Sequence, residues 1–164
     1  MMKRKKATKK PRSKSVSGPL IGTTDLCVPD AAKAIEFYRQ AFGAVETNRW
    51  TDARGRIGHA EFKIGDTLFF IADAPFPESE VKTPEELGGS SVVLGLNVPN
   101  ADDVFERAVA LGSKVIFPLA DQFYGYRSGR VQDPFGHLWI ISTKIEDVPQ
   151  KEMEKRMAAL SKQK

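Results

Sequence analysis

The chain has 164 residues, of which 41% are hydrophobic and 28% are charged, a composition typical of one compact globular domain or two small modules. It contains no apolar run near the roughly 20 residues that span a bilayer, so we expect no contact with membranes. The single cysteine, Cys27, excludes an intrachain disulfide and fits a cytoplasmic location.

The net charge of +4 belongs to the N-terminal segment. Residues 1–14 hold eight of the 25 basic residues and no acid, which leaves 17 basic against 21 acidic residues in the rest of the chain. A charge-dense segment with almost no apolar groups does not pack into a core. We predict a disordered basic tail over residues 1–17, which is either solvated or makes weak electrostatic contact with nucleic acid or another acidic surface.

The first half of the chain predicts a strand, a helix and three more strands. Residues 20–28 favour a strand, Asp30 is a helix N-cap, and Gly43 ends the helix over Ala31–Phe42. Further strands are predicted at residues 44–51, 57–64 and 67–72. This βαβββ order defines a first module over residues 20–73.

The second half repeats this order about seventy residues later. Val28-Pro29-Asp30-Ala31 and Val98-Pro99-Asn100-Ala101 each open a helix. Residues 91–98 predict the strand before the second helix, which covers residues 101–111. Three strands follow, at residues 114–117, 126–132 and 137–142. We therefore predict an α+β fold of two tandem βαβββ modules, 20–73 and 90–143, that form a cup-shaped mixed sheet within a domain at 18–146.

The residues outside the two modules are assigned to connections and to a C-terminal segment. Residues 73–89 are rich in proline and glycine and are predicted to link the modules. Residues 147–164 are predicted to form a C-terminal helix or tail, in which Met153, Met157 and Leu160 recur at helical spacing over residues 147–160.

Three segments resemble a known family: VPDAAKAIEFYRQAFGA, RIGHAEFKIGD and YGYRSGRVQDPFGHLWIIS. Together with the paired βαβββ modules, they are similar to the vicinal oxygen chelate superfamily over residues 20–146, and most similar to its glyoxalase/bleomycin-resistance-like branch. This superfamily holds glyoxalases, extradiol dioxygenases, epimerases and drug-sequestering resistance proteins. The resemblance implies a homodimer with a ligand cup, in which modules pair either within one chain or across two chains.

Enzymes of this family hold a divalent metal in the cup with His, Gln or Glu side chains from the first and last strands of each module. The resemblance places these ligand positions at Thr23, Val93 and Ile140, and at Phe69 or Phe70. Threonine is a poor ligand, the other side chains cannot ligate, and a catalytic metal needs about three protein donors. We therefore predict no metal and no cofactor, and an apolar wall that binds a small hydrophobic or aromatic compound.

Two polar residues on one predicted strand are candidates for chemistry. His59 and Glu61 alternate with Ala60, Phe62 and Ile64, so they lie on the face opposite to these apolar side chains. They are either an ordinary polar pair on an open sheet face, or an acid–base pair, or two ligands of an unusual metal site. The second interpretation makes them the candidate catalytic residues of a glyoxalase-like lyase or isomerase, or of a dioxygenase-type enzyme.

Four side chains in the second module are candidate ligand contacts: Tyr124, Tyr126, Arg130 and Gln132. An arginine can fork onto a carboxylate or phosphate, and a tyrosine offers a hydroxyl or a stacking face. By repeat alignment, Arg130 and Gln132 correspond to His59 and Glu61. The glycine-flanked residues 125–129 form either a lid over the cup or an ordinary hairpin surface.

The two tryptophans and the second histidine complete the candidates. Trp50 is predicted to edge the cavity, whereas Trp139 points toward a helix and into the core. His137 is predicted to be a structural turn residue, with Asp133 capping the same turn. The sequence therefore favours a protein that binds a small organic ligand without a catalytic metal, with the enzyme that uses His59 and Glu61 as the alternative.

Overall fold

A computed structural model of the chain describes residues 22–74 and 81–161, so the predicted basic tail lies outside the described residues. It contains the following elements: β1 (Thr24–Val28), α1 (Ala31–Phe42), β2 (Val45–Thr51), β3 (Ile57–Ile64), β4 (Thr67–Asp73), β5 (Val93–Asn97), α2 (Ala101–Ala110), β6 (Lys114–Asp121), β7 (Tyr126–Gln132), β8 (Leu138–Lys144) and α3 (Gln150–Ser161). Among the described residues, no helix is both long and apolar enough to span a bilayer.

The strands form two four-stranded mixed sheets with the same topology. The first sheet has the order β1-β4-β3-β2 and the second has the order β5-β8-β7-β6. In each sheet the first strand of the module pairs in parallel with the last, and the other pairs are antiparallel. The predicted α+β fold of two tandem βαβββ modules is confirmed.

The start of α1 is held by two carboxylates. The Asp30 side chain accepts a hydrogen bond from the Lys33 backbone N–H at 2.9 Å, as an N-cap does. The Asp73 carboxylate, at the end of β4, accepts from the Ala31 N–H at 2.6 Å and from the Ile57 N–H at 2.7 Å. The helix is therefore tied at its first turn to two strands of its own sheet.

Strand β6 is longer than predicted. The predicted strand ends at residue 117, but the observed strand continues through Pro118 to Asp121. Proline lacks an N–H and is tolerated on edge strands. β6 lies at the edge of its sheet and pairs only with β7, with a register irregularity between Phe117 and Ala120.

The helix-facing sides of both sheets meet in one core. Trp139 of β8 is fully buried, as predicted, and its ring centroid lies 4.9 Å from that of Phe42 and 5.5 Å from that of Tyr38, both on α1. It also lies 5.9 Å from the ring of Phe69 on β4. Helices α1 and α2 contact each other in the same layer. The opposite faces of the two sheets, which we call the open faces, therefore point away from this core.

One buried carboxylate joins the modules. Asp133, in the turn between β7 and β8, accepts hydrogen bonds from the Tyr38 hydroxyl at 2.7 Å and the Trp139 indole N–H at 2.9 Å. Its other oxygen accepts from the backbone N–H groups of Phe135 and His137. Burial raises the pKa of Tyr38, and the adjacent Asp133 charge adds to that rise. Asp133 is therefore the turn cap that the sequence predicted and also a link to α1.

The C-terminal helix begins at Gln150, three residues later than predicted. The Arg156 guanidinium forks onto the Glu146 carboxylate with two contacts of 2.8 Å and donates to the Phe123 carbonyl at 3.4 Å. These bonds fix α3 beside the β6–β7 connection. Leu160 on this helix is half-exposed.

Candidate functional site

Two sets of side chains define the open faces. The module-1 face consists of Asp25, Asn48, Trp50, His59, Glu61 and Phe70. The module-2 face consists of Gly95, Phe117, Ser128, Arg130, Gln132 and Ile140. The alternating residues Ala60 and Phe62 are fully buried on the helix side, as predicted, and this alternation places His59 and Glu61 on the open face.

The sheet register decides which phenylalanine matches the family's ligand position. Phe70 pairs with Asp25 in module 1, and Ile140 pairs with Gly95 in module 2. Phe69 is buried on the helix side, so Phe70 is the counterpart of Ile140. By the same alternation, the exposed Thr23 just before β1 and the exposed Val93 at the start of β5 belong with the open faces.

The residues at these positions do not fit the divalent ion that the resemblance implies. Phe70, Val93 and Ile140 offer no donor atom, and the Thr23 hydroxyl is a weak ligand. Within residues 22–74 and 81–161, there is also no group of three or more His, Cys, Asp or Glu side chains arranged to hold a metal. The chemistry of the open faces must therefore be derived from their own side chains.

An aromatic cluster surrounds His59 on the module-1 face. The His59 ring centroid lies 5.4 Å from that of Trp50 and 4.9 Å from that of Phe70. His59 Nε2 lies 3.3 Å from a Glu61 carboxylate oxygen. Trp50 is 65% exposed, so its ring lies at the rim of this face. The cluster offers stacking surfaces to a planar compound, with one polar pair beside them.

Two ionisable groups at the β1 edge were not among the sequence candidates for the site. Burial raises the pKa of Asp25, and the nearby His59 partly opposes the rise. Burial also raises the pKa of the Cys27 thiol, with the Glu86 and Asp25 charges adding to it. A thiol held protonated is a poor nucleophile, so Cys27 is not a candidate catalytic group. Alternation with Thr23 is the signal that could have identified Asp25.

The module-2 face carries an arginine stacked on an aromatic ring. Arg130 pairs with Ile140 on one side and with Phe117 on the other. Its guanidinium carbon lies 5.1 Å from the centroid of the Phe117 ring. These residues line a groove of about 350 Å³ that also contacts Tyr124 and Ser128. Phe117 was missed because the irregular register of β6 cannot be read from the sequence.

The structure corrects the predicted alignment of the repeats. Arg130 pairs with Ile140 as Glu61 pairs with Phe70, so Arg130 is the counterpart of Glu61 and not of His59. By the same register, Gln132 corresponds to Lys63, and not to Glu61. The prediction failed because the separation between equivalent positions changes along the chain: Phe70 and Ile140 are 70 residues apart, whereas Glu61 and Arg130 are 69 apart.

Of the two alternatives for residues 125–129, the structure supports the hairpin surface and not the lid. Residues 126–129 belong to β7, and a Cβ atom on Gly129 would lie 2.6 Å from the Phe105 ring of α2. This segment is packed inside the sheet and cannot open. Tyr124, in the preceding turn, stays at the groove, with its ring centroid 5.9 Å from that of Tyr126.

His137 lies away from the open faces. It is buried, its backbone N–H donates to Asp133 at 2.9 Å, and its Nδ1 lies 3.8 Å from the same carboxylate. Burial lowers the pKa of His137, and the Asp133 charge opposes this shift. The placement agrees with the structural role predicted for it.

Comparison with known proteins identifies the family. A sequence profile of the Glyoxalase/Bleomycin resistance protein/Dioxygenase superfamily matches residues 20–141, and the chain belongs to this superfamily. An uncharacterized protein of Mycobacterium tuberculosis is 39% identical over 136 residues, which cover 82% of this chain and 80% of that protein. A second uncharacterized protein, from Arabidopsis thaliana, is 28% identical over 120 residues, which cover 68% and 70%.

Solved structures share the fold. TioX from Micromonospora sp. ML1 is 25% identical with a TM-score of 0.60, and the match covers 75% of this chain and 97% of TioX. The fosfomycin resistance protein FosX from Listeria monocytogenes, whose crystal contains Mn(II) and a sulfate ion, is 20% identical with a TM-score of 0.56. That match covers 87% of this chain and 98% of FosX. The likeness to FosX is one of fold.

Proposed function

We propose that this protein binds a small organic compound with an aromatic or apolar body in a cup between open faces, without a catalytic metal. The observation that carries the proposal is the set of side chains at the family's four ligand positions: Thr23, Phe70, Val93 and Ile140. Three of the four are apolar, and the rings of Trp50 and Phe117 on the same open faces are exposed. Exposed apolar surface of this kind marks a binding site.

One open face alone is too weak to hold such a compound. A ligand that buries roughly 200 Å² of apolar area on one face gains about 5 kcal/mol at ~25 cal/mol per Å². Loss of translational and rotational freedom on association costs at least about 4 kcal/mol. A useful affinity therefore requires a second wall, which doubles the buried area for the same association cost.

The second wall comes from a second copy of the chain. The helix sides of both modules are buried against each other in the shared core around Trp139. The two open faces of one chain therefore point away from each other. In the proposed dimer, the module-1 face of one copy opposes the module-2 face of another, so the symmetric pair forms two cups.

The test is ligand binding in the presence of a chelator. The full chain in EDTA is titrated with 1-naphthamide, a neutral aromatic probe, and binding is followed by calorimetry. We expect saturable binding that EDTA does not change, and a loss of about tenfold in affinity for Phe70→Ala because a stacking wall is removed. Leu160→Ala on α3 is the control and should bind like the natural chain. Absence of binding, or binding only after manganese or nickel is added, contradicts the proposal.

A second function is favoured by one contact, the 3.3 Å approach of His59 Nε2 to the Glu61 carboxylate. Such a pair can move a proton on a substrate held against Phe70, as a lyase or isomerase requires. Turnover of an α-keto-aldehyde–thiol adduct that disappears in both His59→Ala and Glu61→Gln would support the enzyme. If the protein only binds its ligand, we expect no turnover above the rate measured without protein.

A further inference from the structure

We propose that Arg130 is the anion-binding group of the cup and that the ligand is an aromatic acid, an apolar body that ends in a carboxylate or phosphate. The inference rests on the proposed function and adds the charged half of the ligand to it. It starts from one atom: Arg130 Nε is buried and has no hydrogen-bond partner. Buried polar atoms are nearly always paired in folded proteins, so an orphaned donor points to a missing acceptor.

Other arginines of the described chain show what Arg130 lacks. Arg39, Arg49, Arg127 and Arg156 each fork onto a carboxylate with two or more contacts of 2.5–3.2 Å. Within residues 22–74 and 81–161, no ion pair joins Arg130 to an acid. Its guanidinium carbon lies over the Phe117 ring, 5.1 Å from the centroid. The guanidinium of the one arginine on the module-2 face is therefore not neutralised by an acid of the described residues.

The cross-strand row around Arg130 offers no carboxylate. This row runs Gly95, Ile140, Arg130 and Phe117, and it contains no acid. The equivalent row of module 1 runs Asp25, Phe70, Glu61 and Asn48. A Cβ atom added at Gly95 would meet nothing within 4 Å, so there is open space beside Ile140. The module-2 face thus combines a cation, an apolar floor and room for a ligand.

The stacking defines how the anion is held. A guanidinium that lies over an aromatic ring keeps its plane fixed, and its N–H edge remains free for a planar or tetrahedral oxyanion. The groove beside it is about 350 Å³ and is lined by Tyr124 and Ile140. A ligand with its oxyanion on Arg130 places its apolar body against these side chains, and against Trp50 and Phe70 of the second copy.

The experiment compares an acid with its neutral isostere. The full chain is titrated with 1-naphthoate, 1-naphthyl phosphate and 1-naphthamide. We expect one or both anions to bind at least about tenfold more tightly than the amide, because a charge-assisted fork replaces neutral contacts. Which anion binds more tightly distinguishes a carboxylate ligand from a phosphate ligand. Arg130→Gln should remove the preference and leave the affinity for naphthamide within about twofold.

Two further variants make the test specific. Arg130→Lys keeps the positive charge but cannot form the bidentate hydrogen bonds of a guanidinium. It should therefore retain only part of the preference for the anions over the amide. Arg54→Gln removes a charge from an exposed turn and should change neither affinity. Equal binding of acids and amide by the natural chain overturns the inference while the proposed function stands. Binding of none of the probes overturns the proposed function itself.

The remaining outcome concerns the dimer. If Arg130 instead serves to pair with Glu61 of a second copy, Arg130→Gln lowers the dimer association constant and leaves the relative affinities for the probes unchanged. Sedimentation of the natural and variant chains measures this constant directly, and such a result overturns the anion site.

Discussion

The two modules carry similar large apolar residues on their helix sides and chemically different residues on their open faces. On the helix sides, Phe69 and Trp139 occupy equivalent positions and contact each other in one core. On the open faces, Glu61 corresponds to Arg130 and Asp25 corresponds to Gly95. Packing requires the repeat to present large apolar groups to the same core, whereas no packing requirement acts on the outer faces. The chemical differences between the modules are therefore confined to the open faces.

On the core side, we expect the largest effect on stability from the loss of Asp133. Asp133→Ala leaves the Tyr38 hydroxyl, the Trp139 indole N–H and two backbone N–H groups buried without an acceptor. We expect the free energy of unfolding to fall by about 3–5 kcal/mol, measured by urea unfolding. Asp121→Ala is the control: this exposed carboxylate pairs with Arg127, and its loss should cost less than about 1 kcal/mol. Equal losses in the two variants would show that Asp133 does not join the modules.

Gly129 and Gly95 lie on opposite sides of the second sheet, so replacing each by alanine compares the packed side with the open face. Gly129→Ala places a methyl group 2.6 Å from the Phe105 ring and 3.0 Å from the Leu119 backbone, so we expect a loss of about 1–3 kcal/mol. Gly95→Ala meets open space on the module-2 face and should change the free energy of unfolding by less than about 0.5 kcal/mol. A thermal unfolding series compares the two. A large effect at Gly95 would mean that the open face is packed in the folded chain.

Local signals in the sequence were sufficient for most of the fold. The N-cap at Asp30, the left-handed Gly43 at a φ of 72° and the apolar stripe between them predicted α1 with its observed bounds. Alternation predicted β3 and placed His59 and Glu61 on the open face. Both features depend on neighbours within a few residues, which is the range that a sequence pattern reports.

The parts that failed depend on contacts between distant segments. The counterpart of Arg130 depends on how β7 pairs with β8, and the end of β6 depends on its position at a sheet edge, where Pro118 is tolerated. The direction of the open faces depends on how Trp139 packs on α1. The sequence named Arg130 as a ligand contact, but the absence of a partner for its Nε is visible only in three dimensions.

The most direct test of the account is to mix two chains that each lack one wall of the cup. Phe70→Asp disables the module-1 face and Ile140→Asp disables the module-2 face, and each variant alone should bind no 1-naphthamide. In a mixed dimer, one cup receives both disabled walls and the other receives two intact walls. An equilibrated equal mixture should therefore recover about a quarter of the sites of the natural protein, by statistical pairing of the chains. A mixture that recovers no binding would contradict a cup built from two copies.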